Sequence, residues 1–330
     1  MAIGLFGALA LTLTAASCGS DDNDNHKQES EEAKETTKTF SFSKVKTSTD
    51  EYSEVYDAAW GEGEVIGVFA VADGEILDKV PYITNPDGDF VPLNEGQILE
   101  GEYRETLELY AFYPYEAGEG YDTGTIGTDF NSQNDLTAES TWNPCDLLRG
   151  VGPVYRADSV PQPGEVPHFL FKHVLSNLTV YIEEATYDPE TGTAPVLPES
   201  ATIRLISENS SSGNEGAAQL PECFISDCAY DVVKGQITRG EAETWKAERE
   251  VWASPDSDTG AYLFPETTFI LCPGDVLQNI QVFLTGRKSL NRTHVGPITL
   301  EAGKKYVVTM YVDSSNKIVN GDVMEEEAEY

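Results

Sequence analysis

Short runs of alternating or continuous apolar residues dominate the chain, and turn-forming residues separate them. Seven runs stand out: TFSFSKV (39–45), EVIGVFAVA (64–72), TLELYAFYPY (106–115), FLFKHVLSNLTVYI (169–182), TFILC (268–272), NIQVFLTG (279–286) and KKYVVTMYV (304–312). Segments rich in Gly, Pro, Asn and Asp lie between them, such as NPDG (85–88) and QPG (162–164). Short strands with regular turn signals predict an all-β sandwich or barrel.

Alternation along KKYVVTMYV predicts a strand that is covered on one side. The apolar side carries four residues, Tyr306, Val308, Met310 and Val312, and the opposite side is mixed in polarity. Helical periodicity is scarce in the rest of the chain. The best helix candidate is TRGEAETWKAEREVWASP (238–255), which has Gly240 near its start and Pro255 at its end.

A stretch rich in Pro, Gly and Thr from Tyr187 to Pro198 marks an expected domain junction. The chain has 330 residues, enough for two domains. The predicted organisation therefore has four parts: a signal peptide (1–17), an acidic linker (18–38), an N-terminal β-sandwich domain (39–190) and a C-terminal β-sandwich domain with an acidic tail (191–330).

The N-terminal apolar run, from Ala2 to Ser17, is sixteen residues long. A helix that spans a bilayer needs about 20 residues, whereas this length suits the central region of a secretory signal. Ala15, Ala16 and Ser17 lead directly into Cys18. This order resembles the bacterial lipobox and implies that Cys18 is lipidated. The alternative is an ordinary signal peptide followed by an incidental cysteine.

The segment after Cys18 is strongly acidic. It begins GSDDNDN, which resembles the surface-export signal of Bacteroidales lipoproteins. Between Asp21 and Glu35 there are seven acidic and two basic residues, and Ala33 is the single apolar residue. Such a composition buries too little apolar surface to fold, so we expect a flexible tether.

The formal net charge of −36 excludes two classes of partner. A phosphate backbone would repel this chain, which argues against nucleic-acid binding. Anionic lipid surfaces are equally unsuitable. Membrane contact is therefore expected only through outer-membrane lipid attached to Cys18.

Five cysteines are present, and two of them, Cys223 and Cys228, are spaced C-x4-C. This pair would close a short disulfide loop in an oxidising compartment, or would remain as half-buried thiols. The four histidines do not cluster with the cysteines at zinc-ligand spacing. No GxSxG, HExxH, Walker or GxGxxG motif occurs. The sequence thus predicts neither an enzyme nor a metal or cofactor site.

Four motifs, in order, carry a resemblance to a known family. They are AAWGEGEVIGVFA with Trp60 and Ile66-Gly67-Val68, YAFYPY (110–115), FKHVLSNLTVYI (171–182) and GPITLEAGKKYVVTMYV (296–312). Together, behind a lipobox-like signal, they resemble the fimbrillin-like proteins of Bacteroidales, which are subunits of type V pili.

The resemblance implies two tandem transthyretin-like β-sandwich domains and a place in a surface fimbria that supports adhesion. It implies assembly with other fimbrillin subunits by donor-strand exchange: a protease removes the first strand, and the opened groove accepts a strand from a neighbour. Phe40 and Phe42 have the period-2 spacing of groove-filling side chains. An ordinary permanent first strand is the alternative. The implied location is the cell surface, as an outer-membrane lipoprotein, a fimbrial subunit or both.

Two departures from the family pattern change the expected role. No Arg precedes Arg104, so the candidate processing residues are Lys44 and Lys46. The segment after Val312 is poor in apolar residues for a donor strand. Both points favour a tip, anchor or accessory subunit over a major stalk subunit.

A second hypothesis is a surface glycan-binding lipoprotein. Trp142, Trp245 and Trp252 would then stack on sugars of a host or bacterial surface, although the same residues would also suit a core or an interface.

Overall fold

The computed structural model describes thirteen parts of the chain: residues 37–49, 60–115, 119–130, 133, 145–156, 158–184, 199–207, 224–240, 244–245, 247–255, 262–285, 291–312 and 318–326. The described residues from 37 onward belong to one compact unit.

The first half of the described chain forms eleven strands and one short helix. They are β1 (Lys38–Phe42), β2 (Lys46–Thr49), β3 (Val65–Ala72), β4 (Glu75–Thr84), β5 (Phe90–Pro92), β6 (Leu99–Tyr103), β7 (Leu107–Tyr113), α1 (Glu119–Thr123), β8 (Thr125–Asp129), β9 (Leu148–Tyr155), β10 (His168–His173) and β11 (Ser176–Glu184).

The described residues of the second half form strands and the turns between them, with no helix. The strands are β12 (Ser200–Ser207), β13 (Phe224–Ile225), β14 (Asp227–Asp231), β15 (Gln236–Arg239), β16 (Thr244–Trp245), β17 (Glu248–Trp252), β18 (Ser254–Pro255), β19 (Tyr262–Leu263), β20 (Thr267–Leu271), β21 (Val276–Leu284), β22 (Asn291–Thr299), β23 (Lys305–Val312) and β24 (Ile318–Glu326). The all-β prediction is confirmed.

A seven-stranded sheet organises the first half, in the order β2-β10-β9-β7-β3-β4-β5. A two-stranded sheet, β1-β6, shares an apolar core with one face of it. The opposite face contributes Phe69 and Phe112 to a second and larger core. Gly67, in the Ile-Gly-Val motif, permits this packing, because a Cβ there would lie 2.2 Å from the Phe112 ring.

Two four-stranded sheets form most of the second half, with the orders β20-β11-β23-β24 and β17-β12-β21-β22. In β23, the four residues predicted to share the apolar side are buried, and Val307 on the opposite side is buried as well. The three-stranded sheet β15-β14-β8 and the two-stranded sheets β13-β16 and β18-β19 complete the described strands.

Two strands connect the halves of the sequence. β8 pairs with β14, and β11 lies between β20 and β23, antiparallel to the first and parallel to the second. Both strands precede the junction expected at residues 187–198, all of which lie outside the described residues. The division into domains at 39–190 and 191–330 stays a prediction.

The best helix candidate, 238–255, forms no helix in its described residues. Most of these residues lie in strands, and β17 pairs with β12 in antiparallel register from Ser200↔Trp252 to Arg204↔Glu248. Val251 is buried while Glu250 and Trp252 are exposed, which is a strand pattern. Tertiary pairing therefore overrides the helix propensity of the Ala, Glu and Lys residues.

The free edge of β20 is closed by a side chain. Gln133 is fully buried, its Nε2 donates to the Ile270 carbonyl at 2.7 Å, and its Oε1 accepts from the Ile270 N–H at 2.7 Å. The amide thus pairs with Ile270 as the backbone of a neighbouring strand would.

The turn between β3 and β4 is tied to the segment after β6 by Asp73. Asp73 adopts a φ of 51°, and its carboxylate accepts from the backbone N–H groups of Thr106, Glu105 and Arg104 at 2.8–3.0 Å. The Thr106 and Glu105 donors hold the pKa of this carboxyl below its ordinary value of 3.8. The charged form is therefore favoured in the folded state.

This turn predicts a measurable pH dependence. A carboxyl whose folded pKa is lowered stabilises the fold above its unfolded pKa, and the stabilisation is lost as pH falls through the folded pKa. Asparagine tolerates the positive φ, so Asp73→Asn tests the charge alone. At pH 7 this variant should unfold at a lower urea concentration than the wild type, and the difference between the two midpoints should narrow below pH 3.8. Asp87→Asn, an exposed turn residue, is the control; a difference that stays constant with pH would contradict this account.

Candidate functional site

The first strand, β1, buries both of its phenylalanines. Phe40 is 5% exposed and Phe42 is fully buried, while Thr39 before them and Ser41 between them face solvent. Period-2 alternation places the two rings on one face, as the sequence predicts. Their role as removable plugs stays a prediction.

Aromatic rings surround the two phenylalanines. The Phe40 centroid lies 5.7 Å from Phe42 and 6.4 Å from Tyr103, and Phe42 stacks on Tyr155 at 5.9 Å. Gly101 pairs with Phe40 in the register with β6. A Cβ at Gly101 would lie 3.2 Å from the Phe40 ring, so this glycine leaves room for it.

Among the described residues, the backbone of β1 pairs with one other strand. Five register positions, from Lys38↔Tyr103 to Phe42↔Leu99, join it antiparallel to β6. The Tyr82 hydroxyl adds one bond from the large sheet, because it donates to the Phe42 carbonyl at 2.7 Å. β1 is therefore held both by its backbone hydrogen bonds to β6 and by the burial of its two phenylalanines.

The tyrosines around β1 are neutral hydroxyl groups at physiological pH. Burial raises the pKa of Tyr82, and burial together with the neighbouring Glu165 carboxylate raises the pKa of Tyr155. Tyr155 donates to Glu165 at 2.8 Å. The tyrosine rings therefore pack against β1 without carrying a charge of their own.

The two candidate processing lysines differ in their surroundings. Lys44 follows β1, is exposed, and pairs with Asp89 at 3.4 Å. Lys46 is also exposed, but it begins β2 and its N–H donates to the Pro167 carbonyl at 2.9 Å. Val45 between them is fully buried and forms two backbone hydrogen bonds with Phe90. A cut at Lys44 would therefore separate β1 from a segment that stays attached to the core.

Of the cysteines predicted to be lipidated or disulfide-bonded, the structure describes one. Cys18 and Cys223 lie outside the described residues. Cys228 lies on β14 as a buried free thiol. The Cys223–Cys228 pairing stays a prediction, as does lipidation of Cys18.

Two residues that contact β1 were not predicted from the sequence. Tyr82 and Gly101 contact β1 directly, but they lie on β4 and β6, which the apolar runs did not identify. Tyr82 falls on the alternation of KVPYIT, a signal that would have found it.

A histidine at the end of β10 pairs with a carboxylate. His173 Nδ1 lies 2.8 Å from the Asp146 carboxylate, and both side chains are mostly buried. Within those same residues, no three His, Cys, Asp or Glu side chains come together as metal ligands would. The described helix, α1, has five residues, and no described helix is long and apolar enough to cross a membrane.

Solved structures with the same fold come from Bacteroides. One is a putative cell adhesion protein from Bacteroides ovatus ATCC 8483, with a TM-score of 0.58 and 17% identity, covering 86% of this chain and 95% of that one. Another is a putative cell adhesion protein from Bacteroides uniformis ATCC 8492, with a TM-score of 0.51, 17% identity, and coverage of 86% and 97%. Comparison with curated proteins gives no match.

The family comparison covers most of the sequence. The model of the fimbrillin-like family matches residues 53–324, a range that includes all four sequence motifs whole. The chain therefore belongs to the fimbrillin-like family.

Proposed function

We propose that this protein is a structural or accessory subunit of a surface fimbria that supports adhesion and is assembled by donor-strand exchange. The observation that carries the proposal is β1: a strand paired with β6, filled with two buried phenylalanines, and followed by the exposed Lys44. Family membership and the solved cell adhesion proteins of the same fold support a cell-surface role.

The C-terminal strand favours a tip, anchor or accessory position. β24 pairs with β23 from Lys305↔Glu326 to Val312↔Ile318 within the same chain. A donor strand must be free to enter a neighbour's groove. β24 is already paired within its own chain. We therefore place this subunit at a position in the fimbria where it accepts a strand from a neighbour or keeps its own first strand.

We further propose that outer-membrane lipid on Cys18 anchors the protein, through the acidic linker that follows. The support is the apolar run that ends at Cys18. Mass spectrometry of the mature surface protein tests this directly. An acylated N-terminal Cys18 is expected, and an unmodified cysteine would exclude the anchor.

Cleavage by a lysine-specific protease tests the role of β1. We expect a first cut at Lys44, because the Lys46 backbone is held by Pro167 and β2. Lys44→Arg should abolish this cut, and Lys46→Arg should leave it intact. After cleavage, the core should bind a synthetic KTFSFS peptide (38–43), and the peptide with alanine in place of both phenylalanines should not bind.

The size of the cleaved product separates the positions in a fibre. Polymers would identify a stalk subunit, and a monomer that stops the growth of others would identify a tip. Resistance of Lys44 and Lys46 would identify an anchor or accessory lipoprotein that retains β1. A cleaved core that binds neither peptide nor partner would exclude donor-strand exchange.

One observation supports the glycan-binding alternative. Trp252 is 60% exposed, which is unusual for so large an apolar ring. Trp142 and the Trp245 side chain lie outside what the structure describes. Binding of soluble glycans that is lost in Trp252→Ala would select this alternative.

A further inference from the structure

Three thiols from distant parts of the sequence meet in one core. Cys145, Cys228 and Cys272 are reduced thiols, each is at most 3% exposed, and all belong to the larger apolar cluster. Cys145 donates to the Asp129 carbonyl at 3.2 Å. β8 is paired with β14 so that Asp129 lies opposite Asp227, the neighbour of Cys228.

Two of these thiols lie on neighbouring segments of the core. Cys228 lies on β14 and Cys272 follows β20, and the Asp275 carboxylate, three residues after Cys272, accepts from the N–H of Ile225, three residues before Cys228. A disulfide requires two side chains that approach without backbone movement. The burial of both thiols in one apolar cluster, and the effect of each on the pKa of the other, place them within reach of each other.

The backbone around both thiols is fixed. Arg239 is the register partner of Cys228, and its guanidinium donates to the Pro273 carbonyl and to the Asp275 carboxylate. The other oxygen of Asp275 accepts from the Ile225 N–H at 3.2 Å. The strand that carries Cys228 and the turn that follows Cys272 are therefore clamped together.

The two thiols are not equivalent as nucleophiles. The neighbouring Cys228 thiol and the nearby Arg239 guanidinium lower the pKa of Cys272. Cys272 and burial raise the pKa of Cys228. Because the thiolate is the attacking species in disulfide exchange, Cys272 is the side that attacks.

We propose that Cys228 and Cys272 form an intrachain disulfide when the folding chain meets a disulfide oxidant, such as the disulfide of an oxidoreductase in an oxidising compartment. The Cys272 thiolate attacks the oxidant and displaces one of its sulfurs as a thiol. Cys228, on losing its proton, then attacks the mixed disulfide and releases the second thiol. Two cysteine thiols are oxidised and one external disulfide is reduced.

This pairing competes with the C-x4-C pairing, because Cys228 belongs to both. Cys145 is the third buried thiol and serves as the matched control, since it contacts a backbone carbonyl. The cross-link closes the chain between residues 228 and 272, a loop that includes β15 to β20. It therefore restricts the unfolded chain more than the four-residue loop of the alternative pair would.

The test uses the full chain with Cys18→Ser, refolded with glutathione disulfide and glutathione, then alkylated and mapped by mass spectrometry. We expect a peptide linked through Cys228 and Cys272, and a melting temperature about 5 °C above that of the reduced chain. Cys272→Ser should abolish both, whereas Cys145→Ser and Cys223→Ser should preserve both.

Two results would overturn the proposal. One is a map in which Cys228 is linked to Cys223 or Cys145. The other is a refolded oxidised chain in which Cys228 and Cys272 are both alkylated. Because mapping is performed on the chain with native Cys228 and Cys272, a variant that fails to fold does not decide the outcome.

Discussion

The double substitution Phe40→Ala/Phe42→Ala should lower the free energy of unfolding by about 5–8 kcal/mol, since each buried Phe→Ala change costs about 3–5 kcal/mol and the two rings are in contact. Phe42 is fully buried and Phe40 nearly so, and both rings pack on tyrosines of the first core. A loss of this size is comparable to the whole stability of a typical domain. Urea unfolding monitored by tyrosine fluorescence measures it.

The matched control lies on the same strand. Thr39→Ala/Ser41→Ala changes two exposed positions and keeps the ladder with β6, so its effect should stay near 0.5 kcal/mol. If the phenylalanine and control variants lost equal stability, side-chain burial would not be what holds β1. The groove-plug hypothesis would then lose its physical basis.

Arg239→Met should cost about 3 kcal/mol, because it leaves the Asp275 carboxylate buried without its cation. The Asp275 side chain is fully buried, and Arg239 Nη2 lies 2.6 Å from its Oδ1. Chemical unfolding of the purified variant measures the loss. Lys234→Met, in the same hairpin, removes a lysine that is 68% exposed from its pair with Asp231 and should cost less than about 1 kcal/mol.

The pH dependence of this variant follows from Asp275. Burial raises the pKa of its carboxyl, and Arg239 opposes that rise. Without Arg239 the pKa should be higher still, so the protonated, neutral form is favoured in the fold. A carboxyl with a raised folded pKa loses stability as pH rises through that value. The difference in free energy of unfolding between Arg239→Met and the wild type should therefore become smaller as pH falls. A difference that grows would contradict the explanation by a buried charge.

Single strands with strong alternation could be predicted from the sequence. EVIGVFAVA and KKYVVTMYV form β3 and β23 within one residue of the expected ends. In both cases local pattern and tertiary burial agree, because the strands lie inside their sheets and are covered on at least one face. The first strand of the candidate site was predicted for the same reason.

Sheet membership could not be predicted in this way. The run FLFKHVLSNLTVYI reads as one apolar segment, yet it forms β10 and β11 in two different sheets. Val174 and Leu175 between them are buried, so no polar signal marks the change. The partners of β1 were hidden for a related reason: Gly101 and Tyr82 are separated from it by long stretches of chain, and only the register brings them together.

The amide of Gln133 has a consequence for solubility. A sheet edge with unpaired backbone groups can recruit strands of other chains. The Ile270 N–H and carbonyl lie on the side of β20 away from β11, and the buried Gln133 amide satisfies both. A strand of another copy therefore cannot pair with these two backbone groups. Gln133 satisfies them with one side chain, which does not itself present a new strand edge.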